Sequence, residues 1–277
     1  DVKGSEIMRI YAIAVFLFLY VPIGIIVLFS FNAGRHASEL RGLSIQWYGK
    51  ALSNPFVGDA FVTSLIVAFS VAILSSLMGT AAALALQRLK GTPRVLFDGL
   101  IYISVMIPGI VIGIATLVAL VTVFDFLNPL LASIWPEGAK PPKLRMGYAS
   151  VIAAHTLFTM SLVIILVRAR IAGMDRALIE ASMDLYATPW RTFYQVTLPQ
   201  IYPAILAGFL LSFTFSFDDF IISFFVAGAN TTLPIYIFSS IRRGITPEVN
   251  AIGTMVLAAS LFLLMTAQLL LRKRTRR

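Results

Sequence analysis

The sequence contains no cysteine, which excludes disulfides, thiol nucleophiles and thiolate metal ligands. Histidine is nearly absent as well: His36 and His155 are the two in 277 residues, too few for a histidine-rich metal site. Charge is scarce. Asp, Glu, Lys and Arg make up 13% of the chain, about half of the roughly 25% with which a soluble domain covers its surface. Apolar residues take their place, at 58% of the chain and a mean hydropathy of +0.88. They come in blocks separated by short polar breaks, which leaves no stretch for a soluble domain and predicts one all-helical membrane domain over residues 1–277. The basic excess, 22 Lys and Arg against 13 Asp and Glu for a net charge of +9, sits at the ends of the apolar blocks. It is not interleaved with aromatics on a polar face, and nucleic acid is therefore not the expected partner. A phosphate-cradling G-x-x-x-x-G-K-[ST] run is also missing, and no fixed-period repeat or Gly/Ser linker divides the chain.

Six apolar runs, approximately 10–31, 61–86, 95–124, 148–167, 201–226 and 251–271, are long enough to cross the ~30 Å hydrocarbon layer as helices. None shows the short alternating pattern of barrel strands. The first run exceeds the roughly 7–15 apolar residues of a signal-peptide core and no small-x-small cleavage pattern follows it, so it is expected to stay in the mature protein. Short positively charged loops resist translocation. With both termini inside, the cytoplasmic segments hold fourteen Lys and Arg and the outer ones eight, summing to the 22 present. The cluster Arg272, Lys273, Arg274, Arg276 and Arg277 reads as an anchor drawn to anionic lipid. Trp135-Pro136-Glu137-Gly138 with Pro141-Pro142 predicts a stiff outer loop, and Trp47, Tyr48 and Trp135 suit the membrane interface.

The cytoplasmic stretch 168–199 is the most informative. Leu178, Ala181 and Leu185 fall on one helical face with Arg176, Glu180 and Asp184 elsewhere, and Asp175 is placed to cap the start. Thr188-Pro189 breaks that helix and opens a second short one through Phe193. The result is a helix, a turn and a helix, either a plain connection or an amphipathic element that docks into a groove. At this point the chain resembles a family. Glu180-Ala181-Ser182-Met183-Asp184-Leu185-Tyr186-Ala187-Thr188-Pro189, followed by Phe193, Val196 and Leu198-Pro199, is similar to the EAA loop of permease subunits of bacterial type I ABC importers. Two positions depart: Ser182 stands where the second Ala is usual and Tyr186 where the family usually has Gly, which predicts a looser turn after Leu185. The resemblance implies that this loop, with Glu180, Ala181, Ser182, Asp184, Leu185, Tyr186, Ala187, Pro189, Leu198 and Pro199, is a coupling helix received by a cytoplasmic ATPase subunit. It also implies a second related permease, two ATPase subunits carrying ATP and Mg, and an extracytoplasmic binding protein, with no cofactor on this chain and no enzymatic activity of its own.

The fifth run contains Asp218-Asp219. A charge at the bilayer centre costs about +2.5 to 3.5 kcal/mol on insertion scales, and such residues usually face a bundle interior or a watery path. Helical spacing sets Ser212, Ser216, Asp219 and Ser223 on one stripe and Phe209, Phe213, Phe217, Phe220 and Phe224 on another, with Asp218 about 100° away near Thr214. An acidic, hydroxyl- and aromatic-lined path suits a cation carrying methylenes; fixing assembly with a neighbouring subunit is the plainer alternative. SFDDFIISFFVAG and TTLPIYIFSSIRRGITPEVNAIGT resemble the spermidine/putrescine branch of these permeases, some of whose members are associated with 4-aminobutyrate or other amino compounds. The substrate path is accordingly expected to include Asp219, Asp218, Ser216, Phe217, Phe220 and Ser223, with Asp125, Tyr102 and Tyr20 as further candidates. Pro108-Gly109 and Gly113 predict a kink and a close helix approach. His155 is expected to be a hydrogen-bonded packing residue, and Leu233–Arg243 an outer amphipathic stretch able to touch a binding protein. A stand-alone ion-coupled transporter is disfavoured by the absence of inverted repeats. An intramembrane enzyme using the two aspartates is disfavoured because adjacent helical residues point apart.

Overall fold

The computed structural model describes residues 2–35, 39–136, 138–244 and 246–274. His36, Glu137 of the outer loop and Arg276 and Arg277 of the basic terminus lie outside them. Twelve helices follow in order among the described residues: α1 (Val2–Ser30), α2 (Gln46–Ser53), α3 (Pro55–Leu86), α4 (Thr92–Met106), α5 (Gly109–Ile134), α6 (Tyr148–Ala172), α7 (Ala177–Asp184), α8 (Pro189–Thr192), α9 (Leu198–Asp218), α10 (Ile221–Val226), α11 (Leu233–Arg243) and α12 (Pro247–Arg274). A π-helical turn, Phe193–Thr197, joins α8 to α9. Beyond one isolated bridge between Asn32 and Leu43, no β-structure occurs among the described residues.

Five segments are long and apolar enough to cross a membrane: Met8–Ser30, Pro55–Leu86, Gly109–Ile134, Tyr148–Ala172 and Pro189–Asp218. A shorter apolar stretch, Pro247–Phe262, opens α12. Two of the six expected runs are not single helices. The third divides at Ile107-Pro108 into α4 and α5, because proline lacks the N–H that would continue α4 and holds the preceding residue extended, at φ −67° and ψ 132°. The kink foreseen there is a full break, and α5 runs on past residue 124 to Ile134. The fifth run divides at Asp219-Phe220 into α9 and α10 with neither Pro nor Gly at the break.

The chain forms two compact units, residues 1–59 with 236–277, and residues 60–235. In the first, α1 and α2 pack on α12. Trp47 is buried and its indole N–H donates to the Asn32 carbonyl at 2.8 Å, while Asn54 Nδ2 donates to Glu248 Oε1 at 2.9 Å and to the Tyr236 hydroxyl at 3.1 Å. In the second unit α6 is the central element, packed against α9, α4, α10 and α5. Its Val163 fills the space beside Gly79 of α3, where a Cβ would stand 2.8 Å from the valine Cβ; small residues let membrane helices approach this closely.

The distribution of polarity is inverted relative to a water-soluble protein. Ser75, Thr159, Ser212, Ser216, Ser223 and His155 are buried, whereas Phe18, Met106 and Val95 are more than 70% exposed. Lipid is as apolar as leucine, so such a surface costs nothing in a bilayer, and polar side chains gain by bonding to one another inside. Ser75 and Thr159 do so, with their hydroxyls 2.6 Å apart between α3 and α6.

Candidate functional site

Breaking a membrane helix leaves backbone groups without their helical partners, and in hydrocarbon they must be satisfied from within. At the α9–α10 break this falls to Asp219. Its Oδ2 accepts the Ser223 N–H at 2.9 Å, closing the first turn of α10. The same oxygen lies 3.1 Å from His155 Nε2, and the other ring nitrogen of His155 lies 2.8 Å from Ser216 Oγ. Ser223 Oγ is 3.2 Å from His155 Nε2. His155 is 2% exposed, so one buried imidazole on α6 grips the last turn of α9 through Ser216 and the first turn of α10 through Ser223 and Asp219. The packing expected of His155 is thus accompanied by a direct tie to a carboxylate 64 residues away in sequence. A histidine inside a membrane span is itself a signal of an interior polar partner, but spacing along the chain does not say which.

Because the break reorients the backbone, Asp218 and Asp219 border a common recess of about 470 Å³ together with Thr214, Phe215, Phe220 and Ile221. Asp218 is exposed, and Asp219 keeps 19% of its side-chain surface. The α5–α10 contact behind it is close: a Cβ on Gly113 would stand 2.8 Å from a ring carbon of Phe225. Other candidates go elsewhere. Ser216 and Ser223 are buried against His155 rather than lining the recess. Phe217 belongs to an aromatic row, edge-on to Phe61 at 6.0 Å and stacked on Phe213 at 5.9 Å. Tyr102 lines a different cavity with Arg94 and Arg168. Asp125 is exposed within α5, nine residues before its last residue instead of at the end of a span. Tyr20 belongs to the other unit, exposed on α1 with its ring 6.1 Å from that of Phe16.

The helix-turn-helix read from the sequence is present. Asp175 Oδ1 accepts the Ala177 N–H at 2.9 Å, Thr188 Oγ1 accepts that of Arg191, and Pro189 occupies the first turn of α8. The Ser182 and Thr192 hydroxyls, 3.0 Å apart, tie α7 to α8. The turn after Leu185 is not loosened by Tyr186. That residue adopts the left-handed conformation, φ +58°, which glycine would adopt without cost. The helix closes with a Schellman pair, Ala187 N–H to Ser182 O at 3.1 Å and Tyr186 N–H to Met183 O at 2.9 Å. The expected apolar face of α7 is uncovered, with Leu178 50% and Leu185 82% exposed, and Tyr186 beside it is 97% exposed.

Long apolar helices, buried polar side chains, two broken runs and an amphipathic hairpin before the paired carboxylates define a multi-pass membrane transport protein. The chain belongs to the family of binding-protein-dependent transport system inner membrane components, which matches residues 75–277. It is a transport component and not an enzyme. It is 35% identical over 248 residues to the putrescine transport system permease protein PotI of Escherichia coli K12, covering 88% of this chain and 83% of that one. It is 33% identical over 264 residues to the spermidine/putrescine transport system permease protein PotC of Haemophilus influenzae, covering 95% of each. In fold it matches a chain of a bacterial ABC transporter that imports the acidic polysaccharide alginate, with a TM-score of 0.74, 16% identity and 99% of both chains covered.

Proposed function

We propose that this chain is the permease subunit of an ATP-driven importer for a small cationic amine, with a polyamine of the spermidine/putrescine class as the first substrate, and that the Asp218–Asp219 recess is part of its path. The observation that carries this is two carboxylates on one recess where the membrane segment Pro189–Asp218 ends, at a break held by a buried histidine. Two carboxylates pair two ammonium groups, and Phe215 and Phe220 offer aromatic faces to the charges or apolar contact to the methylenes between them. The names of the relatives agree with this class of substrate. No basic side chain lines the recess, which favours a polycation over a zwitterion such as 4-aminobutyrate in this half of the path.

The uncovered face of α7, with Leu185 and Tyr186, is the surface we assign to docking on an ATPase subunit, together with Glu180, Ala181, Asp184 and Pro189. ATP and Mg belong to two such subunits. A second related permease completes the path, an extracytoplasmic binding protein delivers the amine, both termini lie in the cytoplasm, and the chain works as one permease domain. Alternating access then requires contacts that differ between two states, and the π-turn and Pro199 between α8 and the α9–α10 break connect the docking surface to the recess.

The test is ATP-dependent uptake of labelled spermidine and putrescine into liposomes holding the complex purified through this chain, with binding protein supplied. Asp219→Asn keeps the shape and an acceptor for the Ser223 N–H but removes the charge; a charged hydrogen bond contributes about 1.5–3 kcal/mol, so uptake kcat/KM is expected to fall about 10- to 100-fold with the complex still assembled. Uptake unchanged by the substitution removes Asp219 from the path, and uptake of 4-aminobutyrate in place of both polyamines overturns the substrate class.

A further inference from the structure

The second unit holds another cavity, at the end where α6 runs into the α7 hairpin, that the transport reading leaves unused. It measures about 490 Å³ and lies between the C-terminal ends of α3 and α6, one side of α4 from Arg94 to Tyr102, and the start of α7. Three guanidinium groups line it, those of Arg94, Arg168 and Arg176, with Gln87 and Tyr102 as further hydrogen-bonding groups. Neither Asp nor Glu is among its lining residues. The carboxylate of Asp98 accepts from Arg168 Nη1 and lies 3.8 Å from Arg94 Nε, and Asp175, next to Arg176 in the chain, has its Oδ1 on the Ala177 N–H. Arg94 and Arg168 share the single carboxylate of Asp98 and Arg176 has no carboxylate partner among the described residues, so the lining itself carries a positive surplus.

A second, larger cavity of about 640 Å³ adjoins it, since Leu86 lines both. This one is almost wholly apolar and runs along α3, α4 and α6 to the α4–α5 break, where Ile107 and Ala115 line it. On α6 the two cavities succeed each other along one stripe at helical spacing: Leu157, Ser161 and Ile164 line the apolar cavity and Arg168 the basic one. Arg168 lies one turn before the end of α6, a segment long and apolar enough to span the bilayer. The basic cavity therefore sits at a membrane boundary, and the apolar one lies at hydrocarbon depth.

We propose that these joined cavities bind one anionic phospholipid, its phosphate held by Arg94, Arg168 and Arg176 and an acyl chain lying in the apolar slot. Guanidinium forks match phosphate oxygens in a bidentate way, and basic pockets between membrane helices are suited to anionic head groups. The positive surplus selects lipid of net negative charge over zwitterionic lipid, and it repels the cationic amine proposed as cargo. A lipid seated there touches α3, α4, α6 and α7 at once and braces the root of the hairpin. No residue is shared with the Asp218–Asp219 recess, so the proposal stands or falls independently of the substrate reading.

The experiment is thermal unfolding of the full chain in a neutral detergent, titrated with phosphatidylglycerol, with phosphatidylcholine of the same acyl chains, and with inorganic phosphate at matched ionic strength. Saturable binding of phosphatidylglycerol is expected to raise Tm by several degrees at high occupancy, with no comparable rise from the other two. The Arg94→Gln/Arg176→Gln double variant is expected to lose that rise, and Ala115→Phe, which narrows the slot from an exposed position, to reduce it. Equal shifts from both lipids, an equal shift from inorganic phosphate, or a phosphatidylglycerol shift unchanged in the double variant would each overturn the proposal. Should the double variant not fold, Arg176→Gln alone, scored by the phosphatidylglycerol retained in native mass spectrometry, decides it: retention equal to wild type rejects the site.

Discussion

Asp219 and His155 depend on each other. The carboxylate satisfies an N–H freed by the helix break, and the imidazole keeps it aimed while bonding Ser216 on the other side. Replacing His155 by Phe preserves bulk but strips partners from Ser216 and Asp219; each buried polar group left unpaired costs about 1–3 kcal/mol. A lower Tm in detergent is expected for His155→Phe, together with a raised KM for the amine, and His155→Gln, which restores one donor and one acceptor, should recover part of both. A lowered Tm with unchanged KM would make His155 a packing residue alone. Tyr186 offers a second test at this scale. A left-handed non-glycine residue costs about 1–2 kcal/mol, so Tyr186→Gly is expected to raise Tm slightly, less the extra unfolded-state entropy of glycine. The same change removes the ring that is 97% exposed beside Leu185. Copurification of the ATPase subunit with Tyr186→Gly, compared with wild type, shows whether that ring takes part in docking.

Among the elements, the two broken runs differ in how they are encoded. Pro108 ends α4 by local chemistry and is legible to anyone reading the chain. The α9–α10 break has no such marker: the residues from Ser216 to Ser223 include neither Pro nor Gly, and a helical wheel drawn straight through them still groups Ser216, Asp219 and Ser223. That grouping foresaw a polar stripe, but all three of its residues meet His155 of α6, and only Asp219 among them also borders the recess. The short helix α10 is positioned by α5, whose Gly113 leaves room for Phe225. Gly113→Val is expected to destabilise the protein by about 1–3 kcal/mol, the usual cost of overpacking, visible as a reduced Tm, and to impair uptake by displacing the break that carries Asp219. Uptake and Tm both equal to wild type would show that α10 can shift without consequence.

For the whole molecule, the lack of cysteine is an experimental advantage. Single substitutions Lys3→Cys and Arg276→Cys create unique thiols, and the proposed topology, with both termini cytoplasmic, predicts that each reacts with a membrane-impermeant maleimide only after the membrane is opened. Labelling of either in intact cells would reverse the topology inferred from the basic residues. The membrane class and six apolar runs were determined by the sequence itself, as was the α7–α8 hairpin, because hydropathy, proline and capping residues act within a few positions of one another along the chain. Tertiary structure alone decided the second helix break, the pairing of Asp219 with His155, the joining of two carboxylates on one recess, and the separation of Tyr102, Ser216 and Phe217 from it. Each of these is a meeting of side chains from different helices, set by how the helices pack. Helical periodicity fixes where a side chain stands on its own helix, and packing fixes what stands opposite.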